Sequence, residues 1–255
     1  SRGEFDGFSG RNSFGIQMSF LSQDLQWGVD LLTDILLHPT FEEEDLVKER
    51  KDTLTAILKQ EDRIGHLTRR ELLKMLYRQH PYRRHALGTT QTVEKITRDD
   101  IISFYERMFA PNNMVITAFG DVNAKDLETL FKKNFAHLKK SNIPPASFRE
   151  EALTVLQEKE IFSNKQQAMV MVGFQGASLH HQDRHGLEVL SAILGSSFSG
   201  RIFSTIRDEF GQAYTLGGHY VPGQDTGIIT FYVLTKDENL TPVRDKLLEI
   251  INGRK

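Results

Sequence analysis

Cysteine is absent from this chain of 255 residues, which excludes disulfides and thiolate metal sites but leaves the cellular compartment undetermined. No run of about 18 apolar residues is present, so the sequence predicts no membrane-spanning helix. Neither sign of charge dominates, because 32 Lys and Arg residues stand against 34 Asp and Glu residues. This balance gives no electrostatic reason to expect a nucleic acid or an anionic membrane as a partner.

The apolar residues that are present predict alternating strands and helices. Their share of 39% is enough to bury one or two cores. Residues 13–20 alternate between apolar and polar side chains, as a half-solvated strand does. Residues 114–120 (MVITAFG) and 227–235 (GIITFYVLT) are predicted strands, and Asn123 and Thr241 are predicted to cap the helices that follow them. Thr97 and Asp100 are predicted to form a capping box at the start of another helix. The pattern therefore predicts an α+β layered fold.

A proline pair separates two such units. Pro144 and Pro145 lack backbone donors and disfavour helix, so we predict a linker over residues 142–151. The first α+β domain is then expected at residues 1–141 and the second at residues 152–255.

The segment 200–220 carries two polar side chains with a shared chemistry. An apolar helical turn is expected to end at Gly211 and to lead into a strand, so Arg207 and Tyr214 flank one helix-to-strand junction. A guanidinium and a phenol can both donate hydrogen bonds to a carbonyl oxygen, which suits binding of an extended peptide near its scissile bond. The alternative is an ion pair of Arg207 with Asp208 or Glu209, and a half-buried strand position for Tyr214.

The spacing of Arg207 and Tyr214 beside GQAYT resembles the second-domain signature of the insulinase, pitrilysin and mitochondrial-processing-peptidase family of zinc metallopeptidases. Residues 31–50, 80–105 and 111–122 are similar to further landmarks of that family, in the family's order. The resemblance implies two similar domains, each with an antiparallel or mixed sheet and helices on one face. It also implies that the N-terminal part of the first domain and the C-terminal part of the second lie outside this sequence.

The zinc ligands of that family are not matched here. Its active members carry H-x-x-E-H on one helix and a third ligand, a Glu, on a later helix. No H-x-x-E-H occurs in this sequence, and the position of the later ligand, seven residues after Glu49, is Ala56, whose methyl group cannot coordinate a metal. The resemblance implies that the motif would precede Ser1, so its absence is also explained by the part of the domain expected outside this sequence, whereas Ala56 is not. Glu49 matches a family position that supports the metal from outside its ligand shell, although a solvated helix carboxylate is the simpler interpretation.

Other residues have weaker indications. His181 and His185 have the i, i+4 spacing of metal ligands on a helix, but no third ligand has a recognisable spacing, so we expect no metal there. The loop that contains Gly195, Ser199 and Gly200 resembles the family's glycine-rich loop, and a peptide contact and a plain helix connection are equally good interpretations. His219 follows Tyr214 on the predicted strand, where proximity to a substrate is a minor alternative.

The sequence therefore predicts the non-zinc-binding half, or subunit, of a zinc metallopeptidase that degrades or processes peptides. Arg207 and Tyr214 would bind the substrate backbone, and zinc is expected only in a catalytic half of the same polypeptide or in a separate subunit. The chain would then have activity only together with that partner. The alternative is a structural subunit of a larger assembly that has no proteolytic role.

Overall fold

A computed structural model describes residues 3–143, 147–195, 199–207, 211 and 213–253. The chain forms two compact units, the first of residues 1–55 and 89–146, the second of residues 56–88 and 147–255. Residues 56–88 thus join the C-terminal half of the sequence. The predicted linker includes Pro144 and Pro145, which lie outside the described residues, so its position stays a prediction.

The elements confirm the predicted α+β class. The α-helices of the described residues are α1 (Leu25–Leu37), α2 (Glu43–Glu61), α3 (Ile64–Leu76), α4 (Thr90–Glu94), α5 (Arg98–Met108), α6 (Ala124–Phe135), α7 (Arg184–Leu194) and α8 (Leu240–Ile251). The strands are β1 (Gly3–Ser9), β2 (Phe14–Phe20), β3 (Gln167–Gly176), β4 (Thr215–Val221) and β5 (Gly227–Lys236). None of the helices in these described segments has the length and apolar character needed to span a bilayer.

In the first unit, β1 and β2 form an antiparallel hairpin in which Gly3 pairs with Phe20 and Ser9 with Phe14. All of β1 is exposed to solvent. The predicted caps of the neighbouring helices are present. Thr97 and Asp100 form a capping box at the start of α5, and the Asn123 side chain accepts hydrogen bonds from backbone N–H groups at the start of α6.

One predicted strand and one predicted helix cap are wrong. Residues 114–120 do not form a strand, and Val115 and Phe119 are 88% and 95% exposed. A strand needs a neighbour for its backbone hydrogen bonds, and no strand of the described residues pairs with this segment. Likewise, α8 begins at Leu240 after Asn239, so Thr241 lies inside the helix and does not cap it.

The second unit is built on a three-stranded antiparallel sheet of order β3–β5–β4. The central strand β5 pairs along its whole length with β3, and it is buried from Gly227 to Phe231. Alternate residues of β5, among them Phe231 and Val233, pack against α8 and against Ile202 and Ile206. Burial on both sides explains why β5 is a nearly continuous apolar run.

Helix α3 covers the opposite face of this sheet. The cluster there contains Leu73, Leu76 and Tyr77 together with Ile228 of β5. The Tyr77 hydroxyl donates a hydrogen bond of 2.7 Å to the carbonyl oxygen of Gly227. The sequence predicted helices on one face of the sheet. α7 and α8 lie on one face, as predicted, whereas α3, from much earlier in the sequence, covers the second face.

Two carboxylates hold residues 147–159 to this helix and to the loop after it. Glu150 accepts hydrogen bonds from the backbone N–H groups of Arg78, Gln79 and His80, at 2.7, 3.0 and 2.7 Å. Burial alone would raise the pKa of Glu150, but these N–H groups outweigh it and the pKa is lowered. The predicted linker therefore ends in a segment with fixed contacts.

The second carboxylate is Glu71 on α3. It binds the ammonium groups of Lys74 and Lys159, both at 2.7 Å. Burial raises the pKa of Glu71, and the hydrogen bonds and positive charges of Lys159 and Lys74 more than offset this and lower it to about 2. The carboxylate is therefore ionised whenever the unit is folded at ordinary pH.

Candidate functional site

Arg207 lies at the end of a short π-helix, Phe203–Arg207. The buried side chains of Ile202 and Ile206 fix this turn to the core of the second unit. The Arg207 guanidinium lies 4.9 Å from the centre of the Phe203 ring, in a cation–π contact, and the residue is exposed. This contact orients the side chain without neutralising its charge.

Tyr214 lies just before β4. Its backbone N–H donates a 2.9 Å hydrogen bond to the carbonyl oxygen of Leu234, and its side chain is 55% exposed. Between the two, Gly211 has a φ of +59° and donates its N–H to the carbonyl oxygen of Arg207, as glycine does where a helix ends. The predicted order of helix, Gly211 and strand is therefore present.

The alternative interpretation, an ion pair of Arg207 and a half-buried position for Tyr214, has a different outcome for each residue. Asp208 and Glu209 lie outside the described residues, so an ion pair with Arg207 is not tested. Tyr214 is mostly exposed and has a backbone fixed by the sheet, which leaves its phenol open to solvent. Both side chains thus offer donors on the surface of the second unit, which is the chemistry required for a peptide carbonyl.

The loop glycines have structural reasons of their own. A Cβ on Gly195 would lie 2.6 Å from the backbone nitrogen of Gly218, whose N–H donates to the Gly195 carbonyl at 2.9 Å. Gly200 is buried, and its carbonyl accepts the N–H of Ser204. Ser199 is exposed. Close backbone approach explains Gly195, and peptide contact by this loop stays a prediction.

The residues present do not fit a catalytic zinc ion. Glu49 is exposed on α2, and two turns later Ala56 offers only a methyl group. Within the ranges that the structure describes, no three His, Cys, Asp or Glu side chains are placed to hold one metal ion. With H-x-x-E-H missing from the sequence, the donor set lacks both the His ligands and the later Glu that this chemistry requires.

His181 and His185 do not share a helix face, contrary to the spacing argument. α7 begins at Arg184, so His181 precedes it, where its Nδ1 accepts the N–H of Asp183 at 3.1 Å. The Nδ1 of His185 lies 3.3 Å from a carboxylate oxygen of Glu188. The His181 ring therefore accepts a hydrogen bond within the turn before α7, and the His185 ring lies beside Glu188. The two rings are not arranged to bind one metal ion.

His219 has neighbours that sequence reasoning missed. Its ring centre lies 5.4 Å from that of Tyr232 on β5. Burial lowers the pKa of His219, and the positive charge of Arg69 lowers it further, against a weaker contact with the Gly218 backbone that raises it. The helical spacing of Gly65, Leu72 and Leu76 in the sequence puts Arg69 on the same face of α3 as these residues. This spacing could have indicated that Arg69 lies on the side of the helix that meets the sheet.

Comparison with known families accounts for nearly the whole chain. Residues 95–254 match the family described as peptidase M16 inactive domain, and residues 2–90 match the family described as insulinase, peptidase family M16. The uncharacterised zinc protease YmxG of Bacillus subtilis is 27% identical over 252 residues, which are 98% of this chain and 60% of that protein. The chain therefore spans about three fifths of the length of this curated relative.

Solved structures share the fold. A peptidase M16 inactive domain from Pseudomonas fluorescens superposes with a TM-score of 0.84 at 22% identity, over 99% of this chain and 63% of that one. A protease from Helicobacter pylori superposes with a TM-score of 0.87 at 19% identity, over 98% of this chain and 62% of that one. At these identities the likeness establishes the architecture alone.

Proposed function

Because this chain belongs to peptidase family M16, we propose that it is the non-zinc-binding half, or subunit, of a zinc metallopeptidase that degrades or processes peptides. The similarity to proteins named zinc proteases supports the reaction class. The match to an inactive domain and the presence of Ala56 where the family places a ligand support the division of labour. Zinc and its activated water would then be supplied by the catalytic half, as part of the same polypeptide or as a separate subunit.

The observation that carries the proposal is the exposure of Arg207 and Tyr214 on either side of one helix-to-strand junction. The Phe203 ring and the β5 backbone limit the freedom of these two residues, so little entropy would be lost when they bind a ligand. In the proposed role, the guanidinium and the phenol donate hydrogen bonds to substrate carbonyls near the scissile bond. They position the peptide and leave the activation of water to the partner.

The test is a substitution in the complete enzyme with its zinc-bearing half. Tyr214→Phe removes one donor and keeps the ring. Loss of one well-placed donor costs about 2 to 4 kcal/mol of transition-state stabilisation, so kcat/KM is expected to fall roughly 30-fold to 1000-fold. Arg207→Lys should also reduce kcat/KM, because an ammonium group cannot reproduce the guanidinium fork.

A matched control separates this role from general destabilisation. The Tyr105 hydroxyl donates to the carbonyl of Leu36 in the first unit, whereas Arg207 and Tyr214 belong to the second. Tyr105→Phe should lower the melting temperature slightly and leave kcat/KM unchanged. Tyr214→Phe should lower kcat/KM and leave the melting temperature unchanged. Normal turnover by Tyr214→Phe, with unaltered peptide affinity in Arg207→Ala, would reject the proposal and favour a structural subunit without a proteolytic role.

A further inference from the structure

Phe203 and Arg207 lie at the two ends of one π-helical turn. Hydrogen bonds in a π-helix run from residue i to residue i+5, and such turns occur frequently at functional sites. Residues at i and i+4 are neighbours on one side of a helix, and here they are an aromatic ring and a guanidinium. The central carbon of the Arg207 guanidinium lies over the Phe203 ring, 4.9 Å from its centre. The turn therefore brings the charge onto the ring face.

The core of the second unit holds this turn in place. Ile202 precedes the ring and Ile206 precedes the guanidinium, and both isoleucines are 0% exposed. Phe203 itself is half-buried, whereas Arg207 is exposed. A long arginine side chain on the surface has many rotamers, and their restriction costs entropy when it binds a ligand. A ring on a fixed backbone is thus a firm support for a side chain that would otherwise be mobile.

Within its described part, this turn offers Arg207 a ring and no carboxylate of its own. Residues 199–207 contain neither Asp nor Glu. A carboxylate partner would accept hydrogen bonds from the guanidinium N–H groups, whereas an aromatic ring contacts the flat face of the group. The contact with Phe203 therefore orients the guanidinium and occupies none of its N–H donors.

We propose that Phe203 is a positioning residue for Arg207. The π-electrons of its ring hold the guanidinium in the orientation in which it binds the substrate backbone. The inference deepens the proposed function and rests on it, because it identifies the group that orients one of the two donors. An exposed cation–π contact changes an equilibrium or a rate roughly two- to fivefold, and the experiments are designed to detect an effect of this size.

The first experiment is a double-mutant cycle in the complete enzyme with its zinc-bearing half. Phe203→Leu keeps an apolar side chain and removes the ring, so kcat/KM should fall roughly two- to fivefold. When Arg207 is already Ala, the same substitution should have almost no further effect, because no guanidinium is left to orient. Phe203→Tyr keeps a ring and should have nearly the kcat/KM of the wild type. An equal loss with and without the Arg207 side chain would overturn the proposal, since it would show a packing effect alone.

Fluorinated phenylalanines at position 203 separate the electrons of the ring from its shape. One, two or three fluorines withdraw electron density from the ring face in steps, with little change in volume. A cation–π contact weakens with each step, so kcat/KM should decrease in order of the number of fluorines. A value that stays constant across the series would overturn the proposal.

The chain offers a matched control in its first unit. The Arg107 guanidinium lies 5.6 Å from the centre of the Phe104 ring, so Phe104→Leu removes a similar pair and should leave kcat/KM unchanged. Asp208→Asn and Glu209→Gln test the ion-pair alternative for Arg207. The effect of Phe203→Leu should persist in both of these backgrounds, and its disappearance in either would assign the positioning to that carboxylate and overturn the role of Phe203.

A measurement on the chain alone separates this proposal from the proposed function. Protons over the face of an aromatic ring have NMR signals shifted upfield, so the side-chain protons of Arg207 should move downfield in Phe203→Leu and much less in Phe203→Tyr. Identical signals in the wild type and Phe203→Leu would overturn the positioning, whatever the kinetics of the complete enzyme. Normal kcat/KM in Arg207→Ala would instead reject the contact of Arg207 with substrate, and with it the functional part of this inference.

Discussion

The two sheets of this protein have similar strand chemistry and opposite environments. The β1–β2 hairpin contains Phe5, Phe8 and Phe14, and each of these is more than half exposed. In the β3–β5–β4 sheet, Phe231 and Val233 of β5 are almost completely buried. Pairing between neighbours is therefore enough to form these strands, but a core requires helices on the sheet.

The difference lies in what packs on each sheet. The three-stranded sheet has α8 and the π-helix turn on one face and α3 on the other. The hairpin is joined by its own backbone hydrogen bonds, and it contacts helices through Phe20 beside Gly28 of α1 and Phe14 beside Phe104 of α5, while β1 is exposed along its whole length. Isolated two-stranded hairpins are marginal in water. We therefore expect the stability of the chain to depend on the second unit, and substitutions in the two sheets measure how far this holds.

The largest effect is expected for Phe231→Ala. The Phe231 side chain is 1% exposed and belongs to the main core of the second unit. Truncation of a buried Phe leaves a cavity and costs about 3 to 5 kcal/mol. Urea unfolding followed by fluorescence and circular dichroism should show this loss, and a change below about 1 kcal/mol would mean that the core is not close-packed around Phe231.

Glu71→Gln is expected to cost about 2 to 3 kcal/mol at pH 7. The fall in the pKa of Glu71 from about 4.5 unfolded to about 2 folded implies slightly more, but water around the half-exposed ammonium groups of Lys74 and Lys159 screens the two ion pairs. Since folding lowers this pKa, its stabilising contribution is complete above pH 4.5 and disappears as the pH falls from 4.5 toward 2. The difference in unfolding free energy between the wild type and Glu71→Gln should shrink over that interval. A difference that does not vary with pH would show that the ion pairs with Lys74 and Lys159 do not stabilise the fold.

Tyr77→Phe should have a smaller effect. The Tyr77 hydroxyl is buried and donates to the carbonyl oxygen of Gly227, which joins α3 to the sheet. Loss of one buried hydrogen bond costs about 1 to 2 kcal/mol. Hydrogen exchange should show faster opening of the Gly227 region in this variant, while exchange in β1 and β2 should not change.

The smallest effect is expected for Phe8→Ala in the hairpin. The Phe8 ring lies over Gly15, its partner on β2, where a Cβ would lie 2.8 Å from the ring. Cross-strand contacts of this kind contribute about 0.2 to 1 kcal/mol. A loss comparable to that of Phe231→Ala would contradict the contrast between the two sheets.

Local signals in the sequence predicted the elements well. Thr97 with Asp100 and the cap at Asn123 identified two helix starts, since capping depends on residues within one turn. The strand predicted at 114–120 failed because pairing depends on a neighbour that local sequence does not specify. The packing of α3 on a sheet about 100 residues later in the chain has no local signal either.

The candidate site also combines features that have a local signal in the sequence with features that do not. The spacing of Arg207 and Tyr214 and the turn at Gly211 can be read from a few adjacent residues, and they predicted the junction between helix and strand. The proximity of His219 and Tyr232 depends on the register of β4 and β5, which no motif encodes. Lys159 meets Glu71 for similar long-range reasons, so charge pairs of this kind are found only once the fold is known.

The division of the second unit along the chain affects the order of folding. Its residues 56–88 are separated from residues 147–255 by a long segment that belongs to the first unit. During synthesis, α3 leaves the ribosome before β3, β4 and β5, with Leu72, Leu73 and Leu76 lacking the strands that cover them. Because contacts so distant in sequence form slowly, the second unit completes its core only after β5 emerges.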